Sequence, residues 1–121
     1  MLDKRMEEAL NKQFNAEMYS AYLYLAMSAH FEDKSLPGFA HWMKQQVQEE
    51  VFHGMKFYGY VIERGGRADL KAIDAPPGEW SSVVDVFEET LKHERHVTSL
   101  INDLVTLATE VNDQATKVFL H

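Results

Sequence analysis

The sequence predicts an all-α protein, a four-helix bundle with one long crossover between its second and third helices. Apolar side chains recur at the 3.6-residue helical period over three long stretches, residues 3–32, 36–64 and 82–109. Between the second and third stretches, residues 67–80 show no helical period and contain a Pro-Pro-Gly break. A fourth helical segment, 113–121, covers about two turns. The chain has 121 residues, 45% of them hydrophobic, and we expect one domain, 1–121, with a genuine core.

The first predicted helix contains neither glycine nor proline between residues 3 and 32. At 1.5 Å per residue it would be roughly 42 Å long. Its apolar stripe consists of Met6, Leu10, Phe14, Ala21, Tyr24, Met27 and Phe31. In the following turn, Ser35 is a candidate N-cap, and Pro37 falls in the first turn of the second helix, where proline is tolerated. Because this connection is short, we expect the first two helices to be antiparallel neighbours.

The connection between the second and third helices is the feature that sets the topology. Gly65 and Gly66 end the second helix, because glycine takes the left-handed cap conformation without a steric penalty. About 15 extended residues at roughly 3.3 Å each then span about 50 Å, enough to return along the whole bundle and make helices two and three parallel. Ser82 and Asp85 resemble a capping box that opens the third helix. Asn112 is the expected cap in the turn before the fourth segment.

Composition and charge exclude several classes of function. The net charge of −7 argues against nucleic acid, whose phosphates attract basic surfaces, and favours cations as partners. The absence of cysteine excludes disulfides, Cys-based zinc or iron–sulfur sites and a thiol nucleophile. No apolar run reaches the roughly 18 residues of a membrane helix, and the N-terminus turns acidic too soon for a secretory signal. We therefore expect a cytoplasmic protein with no nucleic-acid or membrane partner.

The centre of the second predicted helix carries a Glu-x-x-His pair, Glu50 and His53. Residues three apart lie on one helical face, with Cβ atoms about 5–6 Å apart, so the two side chains could bind the same cation. Both fall on the apolar stripe and are expected in the core. The other members of this stripe are Phe39, Met43, Val47, Phe57, Tyr60 and Val61. A buried carboxylate is costly unless it is paired, hydrogen-bonded or bound to metal, although the pair alone would also fit a solvated helix edge.

Two further carboxylates, Glu17 and Glu94, lie on the apolar stripes of the first and third helices. Together with Glu50, each lies about 12 to 14 residues into its helix, roughly 20 Å from the helix end, so all three reach one level of the core. Unpaired carboxylates at one level would repel and be pushed towards protonation. A divalent metal removes this conflict, and oxygen-rich ligation with a single imidazole suits iron or manganese, with zinc less specifically indicated. A glutamate that reaches two ions would bridge them, as in two-metal sites about 3.5–4 Å apart.

Longer motifs surround these residues. They are Asn15-Ala16-Glu17-Met18-Tyr19-Ser20-Ala21-Tyr22-Leu23-Tyr24-Leu25, Gly38-Phe39-Ala40-His41-Trp42-Met43, Glu49-Glu50 with His53, Glu63-Arg64-Gly65-Gly66, Ala75-Pro76-Pro77 and His93-Glu94. Through them the chain resembles a bacterial or archaeal non-haem ferritin, over essentially all of its length. The resemblance implies a ferritin-like four-helix bundle, an architecture known for metal sites in the bundle core and a single long crossover.

The resemblance also implies iron storage and detoxification by a ferroxidase. Such proteins oxidise Fe(II) with O₂ or H₂O₂ at a diiron centre and deposit Fe(III) in the cavity of a 24-subunit shell. Carried over to this chain, the resemblance implies that Glu17 and His53 ligate one iron, Glu94 ligates the other, and Glu50 bridges the two.

Two more residues are assigned through the resemblance alone. Tyr24 matches the tyrosine beside the diiron centre, although an ordinary core aromatic would also fit that position. Glu49 matches a ligand of a third iron site, although a solvated glutamate at the helix edge would also fit.

The fourth segment departs from the family pattern. In ferritins a full fourth helix supplies the remaining ligands of the second iron and of the third site, and a short fifth helix follows. Here the sequence continues only to His121, so we expect a C-terminal truncation that leaves an apolar seam exposed. A fragment or engineered form, a partner copy that fills the gap, and additional residues of a longer protein are all compatible with this pattern.

Other functions remain as alternatives. A rubrerythrin-like diiron peroxidase would show a second Glu-x-x-His, but Val97 follows Glu94 at that spacing. A bacterioferritin would carry a haem-ligating methionine where Val51 stands, so we predict no haem. A non-catalytic helical assembly module would pair its carboxylates with buried basic residues, yet none of the three stripes contains lysine or arginine. The histidines expected to be surface or structural residues, and not ligands, are His30, His41, His93 and His96.

Overall fold

The structure, a computed structural model that describes residues 1–121, contains only helices and connecting segments. The four helices are α1 (Lys4–Asp33), α2 (Pro37–Glu63), α3 (Val83–Glu110) and α4 (Gln114–Leu120). The predicted all-α fold class is confirmed, and each helix begins and ends within two residues of the predicted position. None of the helices has the length and apolar character required to cross a membrane.

The first three helices end in the same way, with one residue in the left-handed conformation. Gly65 has φ of +79° and Asn112 has φ of +57°, and at both ends two backbone amides turn back onto helix carbonyls, as in the Schellman motif. Ser35 has φ of +58° and ends α1 in this manner. The prediction that Ser35 caps α2 is therefore wrong: Leu36 holds that position and makes no side-chain cap, because Ser35 is needed to terminate α1.

Three helices begin at a side chain that accepts hydrogen bonds from the exposed backbone amides of the first turn. Asp3 accepts from two amides at the start of α1, and Asp113 accepts from the amide of Thr116 at the start of α4. The prediction that Asn112 caps α4 is therefore wrong, because Asn112 takes the left-handed conformation that ends α3. Ser82 accepts from the amide of Asp85, as the capping-box resemblance predicted. The return bond differs slightly from that motif, because Asp85 accepts from the amide of Ser81.

Two apolar clusters lie at opposite ends of the bundle. One contains Leu2, Met6, Leu10, Phe57, Val61, Leu104 and Ala108; the other contains Leu23, Tyr24, Met27, Phe31, Ala40, Met43 and Val86. The start of α1 thus packs with the ends of α2 and α3, and the end of α1 packs with their starts. The predicted parallel arrangement of α2 and α3, both antiparallel to α1, is confirmed.

Between the two clusters, the interior is polar. The buried polar residues at this level are Gln13, Glu17, Ser20 and Glu50. α1 packs directly against both α2 and α3, whereas no Cα atoms of α2 and α3 lie within 8 Å of one another. The side of the polar layer between α2 and α3 is therefore an open groove.

The crossover, residues 65–82, forms neither helix nor strand and is attached to α1 by side chains one helical turn apart. Glu7 Oε1 accepts from the amide of Arg67 at 2.9 Å, and Asn11 Oδ1 accepts from the amide of Asp69 at 2.9 Å. Asn15 Nδ2 donates to a carbonyl further along at 3.0 Å. Four helical residues rise about 6 Å and two extended residues about 6.6 Å, so the two spacings match, and the polar face of α1 guides the crossover along the bundle.

Candidate metal centre

Two buried glutamates from neighbouring helices face each other at the middle of the bundle. Glu17 on α1 is 2% exposed, and Glu50 on α2 is 5% exposed. Ligand atoms of Glu17, Glu50 and His53 all lie within 4.8 Å of one another. The predicted convergence of these three side chains is therefore present in the fold.

Unpaired carboxylate oxygens mark the same point. Glu17 Oε1 accepts a hydrogen bond from Gln13 Nε2 at 3.0 Å, but Glu17 Oε2 and Glu50 Oε2 are buried without any hydrogen-bond partner. His53 Nδ1 lies 3.9 Å from Glu17 Oε2 and 3.8 Å from Glu50 Oε2. These distances are too long for hydrogen bonds, and they leave the space among the three atoms to a cation.

Simultaneous ionisation of Glu17 and Glu50 is electrostatically unfavourable. Burial, the adjoining carboxyl of Glu17 and the more distant charge of Glu94 raise the pKa of Glu50 to about 9. No lysine or arginine lies within 4.0 Å of either buried carboxyl; His53 is the only basic side chain at that distance. In the metal-free protein at neutral pH, Glu50 therefore holds a proton that a bound cation would displace.

Glu94 on α3 is half-buried and faces the same groove. Tyr24, which is fully buried, donates a hydrogen bond from its hydroxyl to Glu94 Oε1. Burial and this hydrogen bond to Glu94 raise the pKa of Tyr24, so the phenol stays protonated and remains a donor. Tyr24 is thus more than a core aromatic residue, since it directly orients one of the candidate ligands.

The groove that opens from this centre has a volume of about 820 Å³. Its lining residues are Glu17, Glu50, His53, Met55, Lys56, Phe57, Gly59, Tyr60, Glu63, Glu94, Val97, Ile101, Phe119, Leu120 and His121. The expectation of a core position for His53 is wrong, because half of its side chain is exposed in this groove. Glu49 is exposed and does not line the groove, so its assignment to a third iron site stays a prediction.

The other histidines take the structural or surface positions expected of them. His30 is buried against Trp80, with ring centroids 5.4 Å apart, whereas His41 and His96 are exposed. His93 is half-buried, and its Nε2 lies 2.6 Å from Ser20 Oγ. Burial lowers the pKa of His93, which favours the neutral imidazole.

Two supporting residues were missed by sequence reasoning, Gln13 and Ser20. Gln13 lies four residues before Glu17, a spacing that places both on one helical face, and this could have indicated a hydrogen-bonding partner. Ser20 carries no comparable signal, because its partner is on α3 and only the packing of the helices brings the two together.

The donor set has the composition of a site for a transition-metal ion. Carboxylate oxygens and one imidazole suit iron and manganese in particular, and each unpaired buried oxygen would gain from a cation. Fold and site together are those of a helical bundle with a candidate carboxylate metal site in its core.

Comparison with known proteins gives the family. Residues 7–121 match the ferritin family, described as a ferritin-like domain. The bacterial non-heme ferritin of Bacteroides fragilis strain 638R is 45% identical over 120 residues, which cover 99% of this chain and 76% of that protein. The bacterial non-heme ferritin of Staphylococcus aureus strain USA300 is 40% identical over 121 residues, covering 100% and 73%. The chain belongs to the ferritin family, as its motifs predicted.

Solved structures agree with this assignment. An open pore ferritin from the hyperthermophilic archaeon Archaeoglobus fulgidus superposes with a TM-score of 0.98 at 48% identity, covering 99% of this chain and 74% of that one. An engineered closed form of the same ferritin gives a TM-score of 0.98 at 48% identity, with 99% and 73% covered. The chain thus spans about three quarters of the length of these relatives.

Proposed function

We propose that this protein stores and detoxifies iron by oxidising Fe(II) at a diiron carboxylate centre. The observation that carries the proposal is the pair of buried, unpartnered oxygens, Glu17 Oε2 and Glu50 Oε2, beside His53 Nδ1. Leaving a buried polar atom without a partner costs about 1–3 kcal/mol, and a cation among the three atoms removes this cost. Membership of the ferritin family makes iron the favoured cation.

Each ligand has a distinct role in this proposal. Glu17 and His53 would bind the first iron, and Glu50, on which the charges of both Glu17 and Glu94 act, would bridge it to the second. Glu94 binds the second iron, with its carboxylate oriented by the hydrogen bond from Tyr24. Iron is the substrate here, so the site must bind it tightly enough to react and loosely enough to release the product.

The chemistry requires an electron acceptor, which we propose is O₂ or H₂O₂. Two Fe(II) ions give up one electron each. O₂ takes both electrons with two protons and leaves as H₂O₂, whereas H₂O₂ takes the two electrons with two protons and leaves as two water molecules. The groove gives these small molecules access to the metals from solvent. The Fe(III) product would move to the interior of a multi-subunit shell, as the family resemblance implies, and the cytoplasmic location and the lack of haem stay predictions.

The two proposed iron positions differ in the number of side chains that converge on them. Glu17, Glu50 and His53 bring ligand atoms within 4.8 Å of one another, whereas Glu94 is not part of this group. We therefore expect the ion held by Glu17, Glu50 and His53 to bind more tightly than the ion held by Glu94.

An anaerobic Fe(II) titration followed by calorimetry tests the proposal, and admission of O₂ then gives the rate of Fe(III) formation from its near-ultraviolet absorbance. Glu50→Gln should abolish the tighter binding and slow oxidation by at least about tenfold, because it removes the bridging ligand. Glu88→Gln, at an exposed position of α3, is the matched control and should behave as the wild type. Oxidation at the wild-type rate in Glu50→Gln would refute the diiron mechanism.

A further inference from the structure

A second connection between α1 and α3 lies directly beside the hydrogen bond that Tyr24 makes to Glu94. It joins His93, the residue before Glu94, to Ser20, one turn before Tyr24. The distance from His93 Nε2 to Ser20 Oγ is 2.6 Å. Ser20 is completely buried, whereas His93 is half-buried, so the serine side of this contact is shielded from water.

One arrangement of hydrogen atoms satisfies both contacts of Ser20. Its hydroxyl donates to the carbonyl of Ala16 at 2.9 Å, and in the tautomer that carries its proton on Nε2, His93 donates to the Ser20 oxygen. A bond of this length to a fully buried acceptor holds the imidazole in one orientation.

The oriented imidazole packs against Tyr24. Their ring centroids lie 6.0 Å apart with an interplanar angle of 89°, the perpendicular geometry that aromatic pairs prefer. On its other side, His93 packs against Tyr19, with ring centroids 5.7 Å apart. His93 therefore packs between Tyr19 and Tyr24.

We propose that His93 is a positioning residue of the metal centre: anchored by Ser20, it holds the Tyr24 ring so that the phenol hydroxyl points at Glu94. The inference rests on the proposed function, since it gives Glu94 the role of a metal ligand. Residues that contact a metal ligand, and not the metal itself, fix the orientation of that ligand before the metal binds. Loss of such a residue weakens metal binding.

The test uses Co(II), whose visible absorption reports the geometry of its ligands, and compares two variants that break the anchor differently. Ser20→Ala removes the acceptor and keeps the imidazole, whereas His93→Phe keeps a ring against Tyr24 and removes the N–H. Glu94→Gln should abolish one part of the Co(II) titration. Ser20→Ala and His93→Phe should each lower the Co(II) affinity of that part by about three- to tenfold, which is the contribution of one hydrogen bond. The double variant should be no weaker than the single ones, because both changes remove the same bond.

Two further measurements separate positioning from general stability. In ¹⁵N-histidine-labelled protein, the Nε2–H signal of His93 should be present in the wild type and absent in Ser20→Ala. His41→Phe, which changes an exposed histidine on α2, is the control and should leave both the titration and the Co(II) spectrum unchanged.

The outcomes distinguish the inference from the function on which it rests. Unchanged Co(II) affinity and spectrum in folded Ser20→Ala and His93→Phe, with normal binding by the wild type, would overturn the positioning role alone. Absence of Glu94-dependent Co(II) binding in the wild type would overturn both the positioning role and the diiron centre.

Discussion

Replacement of Glu50 by glutamine should remove a specific pH dependence from the stability of the metal-free protein. The folded state raises the pKa of Glu50 from its ordinary value of 4.5 to about 9, through burial and the neighbouring Glu17. Between these two values the folded protein binds one more proton at Glu50 than the unfolded chain does. The free energy of unfolding therefore falls as the pH rises through this window. Glutamine resembles the protonated carboxyl in shape, carries no charge and does not titrate.

The size of the effect follows from the same numbers. One proton changes the free energy of unfolding by about 1.4 kcal/mol per pH unit, so the whole window would give an upper bound of about 6 kcal/mol. Glu50 faces a groove that water can enter, and the buried pair can relax, so we expect about 2–3 kcal/mol between pH 5 and pH 9. Wild-type stability should fall by this amount relative to Glu50→Gln, since all other titrating groups are shared.

Urea unfolding at several pH values, with the metal removed, measures this difference. Glu88→Gln, which changes an exposed glutamate on α3, should retain the wild-type slope. Saturating divalent metal should abolish the slope in the wild type, because the ion displaces the proton, and calorimetry in buffers of different ionisation enthalpy should detect the proton released. Parallel pH profiles for wild type and Glu50→Gln would refute the reasoning, because they would mean that Glu50 titrates as an ordinary carboxylate.

Three other substitutions test how the fold supports the site. Asp113→Asn should destabilise the protein by about 1–3 kcal/mol in thermal unfolding, since the carboxylate caps α4 and bonds to Arg64 at 3.1 Å. Hydrogen bonds and this ion pair lower the pKa of Asp113 against the effect of burial, so its contribution to stability should be lost as the pH falls below 4. An identical loss of stability below pH 4 in the wild type and in Asp113→Asn would contradict this prediction. Gly59→Ala should stabilise the protein by about 0.5–1 kcal/mol, because an added Cβ meets nothing within 4 Å. Gly54→Ala should increase stability less in the same assay, because its Cβ would lie 3.1 Å from a methionine sulfur on α1. Equal increases for the two variants would show that this contact does not affect stability. Asn11→Ala should accelerate hydrogen exchange at the crossover amide to which it is bonded and lower the free energy of unfolding by about 1 kcal/mol, whereas unchanged exchange would mean that the crossover is held by other contacts.

Most of the fold follows from local patterns in the sequence. Helical periodicity locates α1, α2 and α3, and Gly65 and Asn112 mark two of the helix ends because their residue types tolerate the left-handed conformation. Ser35 shows the limit of this reasoning. Its residue type favours an N-cap, yet the short turn needs a left-handed residue to end α1, and this requirement prevails over the side-chain preference.

The side chains of the candidate site show how far the same kind of reasoning extends. Counting residues along each helix placed Glu17, Glu50 and Glu94 at one level, because an α-helix has a constant rise and the helices run side by side. The same counting assigned His53 to the core, although half of its side chain is exposed. Periodicity identifies the face of a helix, but it does not say whether another element covers that face.

The sequence alone therefore determined the helices, their order, the crossover and the identity of the carboxylates, since all of these depend on local spacing and residue type. Only the tertiary structure decided which polar atoms stay unpaired, that Tyr24 donates to Glu94, and that His93 is anchored to Ser20. These contacts join residues about 70 positions apart in the chain. They depend on the rotation and axial offset of α1 against α3, and that arrangement is set by packing over the whole length of both helices.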